Sequence, residues 1–137
     1  ISTLIPQDYV EDIFLRLEIY NDISNAKNDY DIDHIVSKLE DVYGPIPDYL
    51  KNLFYLTRVK IEGNRIKADK VKINKENTVI SLNPKSLIDN NKLINHFVLK
   101  NKIKLTDQYN LKYQNISKDN FCELCEEVIS MMKDISD

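Results

Sequence analysis

The sequence predicts an α+β domain with the element order ααα-ββ-α-ββ-α, and three patterns support this fold class. Apolar residues recur at helical spacing through most of the first half. Short β-rich stretches beside turn-like residues follow position 66, and an apolar helical stripe closes the chain. The 137 residues suit one domain, 1–137, with a subdivision into a helical part, 1–64, and a β-rich part with helices, 65–137.

The first elements are an extended lead-in over residues 1–10 and a helix over residues 12–26. Pro6 keeps the residue before it away from helical angles. The apolar residues of the helix are too widely spread for one stripe, so we expect it to be buried on two sides. Arg16 on such a helix needs a carboxylate or carbonyl partner, because an unpaired buried charge is costly.

Two further helices are predicted over residues 31–43 and 47–64. The first has a regular apolar stripe and a capping residue at Asn28 or Asp29. It ends at Gly44-Pro45, a common helix stop, and Pro47 occupies the favoured first position of the next helix. The two prolines limit the linker to few conformations and predict a stiff elbow.

The second half alternates hairpins and helices. Residues 67–82 read as a hairpin around the turn at 74–77, and Asn83-Pro84 predicts a helix over residues 84–97. Short strands are expected at 103–105 and 110–113. Ser117 is the predicted cap of the last helix.

Composition excludes several classes of protein. Two glycines cannot supply a phosphate-binding P-loop or a Gly-rich dinucleotide loop. No apolar run reaches about 18 residues, and no secretory leader is recognisable. Two cysteines do not form a secreted disulfide scaffold, so we expect a cytoplasmic protein. The first residue, Ile1, suggests a piece of a longer polypeptide.

Charge is segregated along the chain. Residues 1–52 carry 4 basic and 11 acidic groups, residues 53–118 carry 14 and 5, and residues 119–137 carry 1 and 6. Such a distribution is usually a set of solvated helix faces, but it also suits steering of a charged partner. The predicted partner-binding residues lie on the second helix and would face an Arg-rich protein surface: Asp31, Asp33, Glu40 and Asp41.

A basic segment offers a second hypothesis, contact with DNA. Seven basic residues fall within positions 58–75, where they could meet phosphates. The segment lacks interleaved aromatic residues and has only two arginines, so base stacking and bidentate readout are poorly supported. The sequence pI of about 5.4 also disfavours independent DNA binding.

The remaining candidates for chemistry favour structural interpretations. Cys122 and Cys125 form a CxxC motif, but Cys125 falls on the apolar stripe of the last helix, so packing is favoured over a redox or zinc site. His34 and His96 have no nucleophile at a recognisable spacing. Asn115-Ile116-Ser117 is a chance match to a glycosylation triplet. No catalytic residue, metal or cofactor is predicted.

The first half resembles the C-terminal domain of the bacterial transcription-repair coupling factor family. The resemblance is ungapped over residues 4–56. The matching segments are Leu4-Ile5-Pro6-Gln7-Asp8-Tyr9-Val10, Asp12, Leu15-Arg16-Leu17, Tyr20, Ala26-Lys27, Leu39-Glu40-Asp41-Val42-Tyr43-Gly44-Pro45-Ile46-Pro47 and Leu50-Lys51-Asn52-Leu53. Residues 57–137 match only in the order of elements. Two positions depart from the family pattern: Val42 replaces an arginine, and Lys38 replaces a frequent acidic residue.

The resemblance implies a non-catalytic regulatory domain of an ATP-driven DNA translocase in transcription-coupled nucleotide excision repair. In that family the domain packs on an N-terminal UvrB-like module, masks its UvrA-binding surface and restrains the motor until RNA polymerase is engaged. DNA would be contacted mainly through the parent motor, with no membrane involved. Arg16, Tyr20, Gly44, Pro45 and Pro47 would then be determinants of the fold.

Overall fold

The computed structural model describes residues 5–107 and 109–137 and confirms the α+β class and the order of elements. The chain divides into two compact units, Ile1–Ile61 and Glu62–Asp137, and the division falls within the third helix. The helices are α1 (Ile13–Ser24), α2 (Asp29–Tyr43), α3 (Asp48–Arg65), α4 (Asn90–Leu93) and α5 (Phe121–Ile135). A π-helical turn, Ile94–Val98, continues α4. The strands are β1 (Lys70–Ile73), β2 (Asn77–Ser81), β3 (Ile103–Leu105) and β4 (Asn110–Gln114).

The helical unit has its own apolar core. Ile19 and Ile23 of α1 pack with Ile32 and Leu39 of α2, and Phe54 of α3 belongs to the same cluster. Asp12 caps α1 and Asn28 caps α2, each accepting a hydrogen bond from a backbone N–H of the first turn. Of the predicted extended lead-in, residues 1–4 lie outside the described residues. Residues 6–10 form a turn instead, in which the Pro6 carbonyl accepts from the amides of Tyr9 and Val10.

The predicted burial of α1 on two sides is wrong. Only Ile19 and Ile23 of this helix are buried, while Ile13, Phe14 and Leu17 are exposed. Arg16 nevertheless has the carbonyl partners expected for it, since Nη1 donates to the oxygens of Val10 and Glu11 at 2.7 and 2.8 Å. The broad apolar pattern therefore supplies one core face and one face in contact with solvent.

The second unit contains a four-stranded antiparallel sheet of order β1-β2-β4-β3. The register pairs Ile80 with Leu111 and Thr78 with Tyr113, and all four side chains are buried on one face of the sheet. Tyr113 of β4 donates to Glu127 of α5, so α5 lies on this face. Helix α5 contributes its apolar stripe to the core: Leu124, Cys125, Val128, Met131, Met132 and Ile135.

Two predicted helix starts in this unit are wrong. Asn83-Pro84 opens a turn, and α4 begins only after Asp89, whose carboxylate caps it through the Lys92 amide. The last helix is capped by Asn120 rather than Ser117. In both regions the backbone is engaged by distant residues: Leu87 donates to the Ile66 carbonyl, and Ser117 donates to the Glu127 carboxylate.

The elbow between α2 and α3 depends on a glycine. Gly44 has φ +89° and ψ −167°, a conformation that is essentially restricted to glycine. Its carbonyl accepts a hydrogen bond from the Tyr9 hydroxyl at 2.7 Å, and the Tyr9 ring packs against Tyr43. Pro47 lies one residue before α3 rather than at its first position, and its carbonyl accepts from the amides of Leu50 and Lys51.

We expect Gly44→Ala to lower the free energy of unfolding by about 1–3 kcal/mol. An added Cβ would meet no atom within 4 Å, so the cost arises from the backbone angle alone. Urea unfolding followed by circular dichroism measures it. Ser37→Ala, at an exposed position of α2, is the control and should change stability by less than about 0.5 kcal/mol. Equal stability of the two variants would contradict the prediction.

Candidate protein-interaction surface

The four predicted partner-binding residues occupy three different settings on α2. Asp31 lies in the first turn, where its carboxylate accepts from the Lys27 amide at 2.9 Å. Asp33 accepts from Arg58 of α3 at 2.6 Å. Glu40 and Asp41 lie in the last turn and are exposed, and their carboxylates form no hydrogen bond or ion pair within the part of the chain that the structure describes. The structure therefore does not bring the four residues together as one surface.

The contact between α2 and α3 uses two carboxylates of the acidic helix. Arg58 bridges Asp29 at 3.1 Å and Asp33 at 2.6 Å. Burial alone would lower the pKa of Arg58, but its hydrogen bonds to Asp33 and Asp29 outweigh this effect and raise the pKa. Asp29 and Asp33 thus contribute to the packing of the helical unit, which leaves Glu40 and Asp41 as the acidic residues available to a partner.

An apolar groove of about 410 Å³ runs between α1 and α2. Leu15 and Ile19 line it from α1, and Ile35, Leu39 and Val42 line it from α2. Asp31 and His34 border it, and Lys38 replaces the acidic residue of the family pattern at its edge. Glu40 and Asp41 lie in the same last turn of α2 as Val42 but are not among the residues that line the groove.

Large apolar side chains are exposed on both helices, Phe14 and Leu17 on α1 and Val42 on α2. Phe14 is 76% exposed, Leu17 56% and Val42 66%. Exposed apolar patches on proteins mark contacts with partners more often than isolated apolar residues do. Sequence reasoning missed Phe14 and Leu17 as surface residues. The sequence feature that could have indicated them is the spread of apolar positions around α1. That spread is equally compatible with burial within the chain and with contact to a partner.

The basic segment 58–75 does not form a single surface. Arg58 is held by α2, and Arg65 donates to Glu62 and to the Ser136 hydroxyl. Lys70 and Lys72 point outward from β1, on the face of the sheet opposite the buried Ile80 and Thr78. The predicted DNA-binding segment is therefore divided among different structural roles.

The CxxC motif lies within α5. Burial, followed by the nearby Cys122 and Glu126, raises the pKa of the Cys125 thiol to about 12. A thiol with this pKa is protonated at neutral pH, and its complete burial agrees with the packing role predicted for Cys125. No group of three or more His, Cys, Asp or Glu side chains within residues 5–107 and 109–137 is arranged to hold a metal ion.

The fold defines an α+β module that exposes an apolar groove and acidic side chains on its helical unit. The TRCF domain family matches residues 1–93, and the chain belongs to this family. It is 26% identical over 136 residues to the transcription-repair-coupling factor of Buchnera aphidicola, with 98% of this chain and 17% of the relative covered. The corresponding factor of Myxococcus xanthus is 31% identical over 90 residues, covering 66% of this chain and 8% of the relative.

A solved structure supports the fold. The crystal structure of the C-terminal domain of a transcription-repair coupling factor matches with a TM-score of 0.77 and 19% identity, covering 97% of this chain and 89% of that one. The chain spans less than a fifth of the length of the Buchnera and Myxococcus factors. Within the described residues, no helix combines the length and apolar character needed to cross a membrane.

Proposed function

We propose that this chain is a non-catalytic regulatory domain of a cytoplasmic transcription-repair coupling factor. It restrains the parent ATP-dependent DNA translocase by packing on the UvrB-like module of the same protein. While packed there, it masks the surface that UvrA binds, and engagement of RNA polymerase releases it. The observation that carries this proposal is the exposed surface of α1 and α2, which combines an apolar groove with the exposed carboxylates of Glu40 and Asp41 in the last turn of α2.

The position of Glu40 and Asp41 is unfavourable for α2 itself. Both carboxylates lie in the last turn, where the helix dipole is negative, and no basic residue of that turn compensates them. Each negative charge there costs about 0.3–1 kcal/mol at low salt. A cationic partner surface would reverse this cost, which supports a role for the pair in binding rather than in folding.

Exposed apolar residues of α1 and α2 supply affinity. Phe14, Leu17 and Val42 have large exposed side chains whose burial on a partner is favourable. The acidic residues at the end of α2 would set the association rate and the choice of partner. A restraint must also be reversible, since moving an equilibrium from 1:99 to 99:1 takes about 5.5 kcal/mol. A small apolar surface with charged edges suits a contact that a competing ligand can displace.

The direct test is calorimetric titration of the chain into the UvrB-like module of the same parent protein at two salt concentrations. We expect saturable binding that weakens with salt and that UvrA abolishes. Glu40→Arg combined with Asp41→Arg should weaken binding at least tenfold. The matched control reverses two exposed acidic residues outside this surface, Asp119→Arg and Glu123→Arg, and should leave affinity within threefold.

Two outcomes would overturn the proposal. The first is no binding of the unmodified chain at low salt, and the second is an equal loss of affinity in both charge-reversal variants. Lys38→Glu tests the opposite effect, an increase in affinity, because it restores the acidic residue of the family pattern at the edge of the groove. We expect this variant to bind the module more tightly than the unmodified chain.

A further inference from the structure

The outward face of the sheet in the second unit carries an unusual concentration of lysine. Nine strand positions point away from the core, and four of them are lysines whereas none is acidic. These positions are Lys70, Lys72, Asn77, Val79, Ser81, Lys104, Asn110, Lys112 and Gln114. The neutral residues are mostly amides and a hydroxyl, which can also donate hydrogen bonds. Val79 is the only apolar residue of the nine.

The register places three of these lysines in one row across the sheet. Lys72 pairs with Val79, Val79 with Lys112, and Lys112 with Lys104. Strands lie about 4.8 Å apart, so Lys104 and Lys112 are adjacent and Lys72 lies about 14 Å from Lys104. Like charges directly opposite each other destabilise an antiparallel pair. An anion bound over Lys104 and Lys112 would remove that repulsion.

Within the described part of the chain, no carboxylate forms an ion pair with a lysine of the row. The four outward lysines form no ion pair among the residues that the structure describes. Glu76 lines a shallow depression of about 190 Å³ together with Lys104 and Lys112. Glu76 is already bound to Lys118 at 2.7 Å, and this hydrogen bond lowers the pKa of its carboxyl group.

We propose that this lysine face binds the phosphate backbone of duplex DNA without sequence preference. Lysine is depleted in protein–protein interfaces, and a face with one valine offers little apolar area to a protein partner. Single strands are bound largely by stacking on aromatic residues, and none of the nine outward positions is aromatic. The span of about 14 Å matches the two phosphate rows that border the 12 Å major groove of B-form DNA.

This site differs from the basic segment predicted from the sequence. It includes Lys70 and Lys72 of that segment but neither of its arginines. It also includes Lys104 and Lys112, which are distant in sequence and lie on the same face only because β4 pairs with both β2 and β3. It also involves a different unit and partner from the surface around Glu40 and Asp41. Either proposal can therefore fail without affecting the other.

The test is fluorescence anisotropy of a labelled 24-base-pair DNA duplex titrated with the 137-residue chain at several salt concentrations. Non-specific DNA binding is typically in the range of 10⁻⁴–10⁻⁶ M, and log K falls with log salt by about 0.9 per phosphate contact. Replacing Lys72, Lys104 and Lys112 with Gln should reduce that slope by about 2.7 and weaken binding at least tenfold at 50 mM salt.

The matched control replaces three lysines outside the strands with Gln, namely Lys60, Lys85 and Lys133. It carries the same net charge as the first variant and should change the slope by less than 1. Thermal melts of both variants verify folding. The proposal is overturned by no binding to the duplex at 50 mM salt, by equal losses in the two variants, or by tighter binding to a single strand, an RNA duplex or polyglutamate.

Discussion

Asn115→Asp should lower the free energy of unfolding by at least about 3 kcal/mol at pH 7. Asn115 is 2% exposed. Its amide nitrogen donates to the carbonyls of Asn74 at 2.6 Å and Lys75 at 3.1 Å, and its amide oxygen accepts from the Thr78 hydroxyl. The side chain therefore joins the end of β4 to the turn between β1 and β2.

The substitution conserves shape but removes both donors. A buried carboxylate would then face two carbonyl oxygens, and burial raises the pKa of such a group. An acid with a raised pKa in the folded state is favoured when protonated. The stability deficit should therefore shrink as pH falls toward 4 and grow as pH rises through the folded-state pKa. Urea unfolding at pH 4 and pH 7 measures the difference.

Two controls separate charge from loss of contact. Asn115→Ala removes the same hydrogen bonds without adding a charge, so its cost should be smaller at pH 7 and independent of pH. Asn91→Asp places the same charge at an exposed position of α4 and should change stability by less than about 0.5 kcal/mol. A deficit for Asn115→Asp that did not depend on pH would contradict the assignment. The buried, bonded amide also cannot accept a glycan in the folded chain.

The sequence predicted those elements whose signals are local. The stripe of α2 and its stop at Gly44 come from residues close together in the chain, and the structure places the end of α2 at Tyr43 as predicted. The strand positions 103–105 and the end of the chain as an apolar helix were also predicted correctly. Helical and alternating patterns of apolar residues predict burial directly, because the spacing determines which side chains lie on the same face of a helix or strand.

The failures occur where a local signal competes with distant partners. Asn83 does accept a hydrogen bond two residues on, from the Lys85 amide, but its side chain also donates to the Lys67 carbonyl. The chain then runs extended so that Ile88 forms a bridge with Ser136. A capping residue followed by proline is equally compatible with a turn, and only these long-range contacts decide between the two.

The candidate surfaces were predictable only in part. Charge segregation drew attention to α2, but the sequence could not show that Arg58 engages Asp33, leaving Glu40 and Asp41 exposed. The lysine face was harder still, since it depends on the pairing of β2 with β4 and of β4 with β3. Its lysines come from three strands, so no window of the sequence contains them all.

Glu127 of α5 is the second position where we expect a large effect. Its carboxylate accepts three hydrogen bonds: from the Tyr113 hydroxyl at 2.5 Å, the Ile116 amide at 2.7 Å and the Ser117 amide at 2.7 Å. Glu127→Ala leaves these three donors without their acceptor and should lower the free energy of unfolding by about 2–4 kcal/mol. Urea unfolding followed by circular dichroism measures the loss.

The same contacts predict how this contribution depends on pH. Burial alone would raise the pKa of Glu127, but the hydrogen bonds from Tyr113, Ser117 and Ile116 outweigh it and lower the pKa. A lowered pKa in the folded state gives stability that is present above the unfolded-state value, near 4.5, and is lost as pH falls through the folded-state pKa. The unmodified chain and Glu127→Ala should therefore converge in stability at low pH.

Tyr113→Phe distinguishes this network from the general burial of α5. It removes one of the three donors and keeps the ring that packs against Phe97, so it should cost about 1 kcal/mol. Combined with Glu127→Ala, it should add little, because the alanine variant has already lost the bond. Two results would contradict this network: additive losses of stability in the double variant, or a stability deficit of Glu127→Ala that is unchanged at pH 3. Either would show that the Glu127 carboxylate does not link β4, the loop after it and α5.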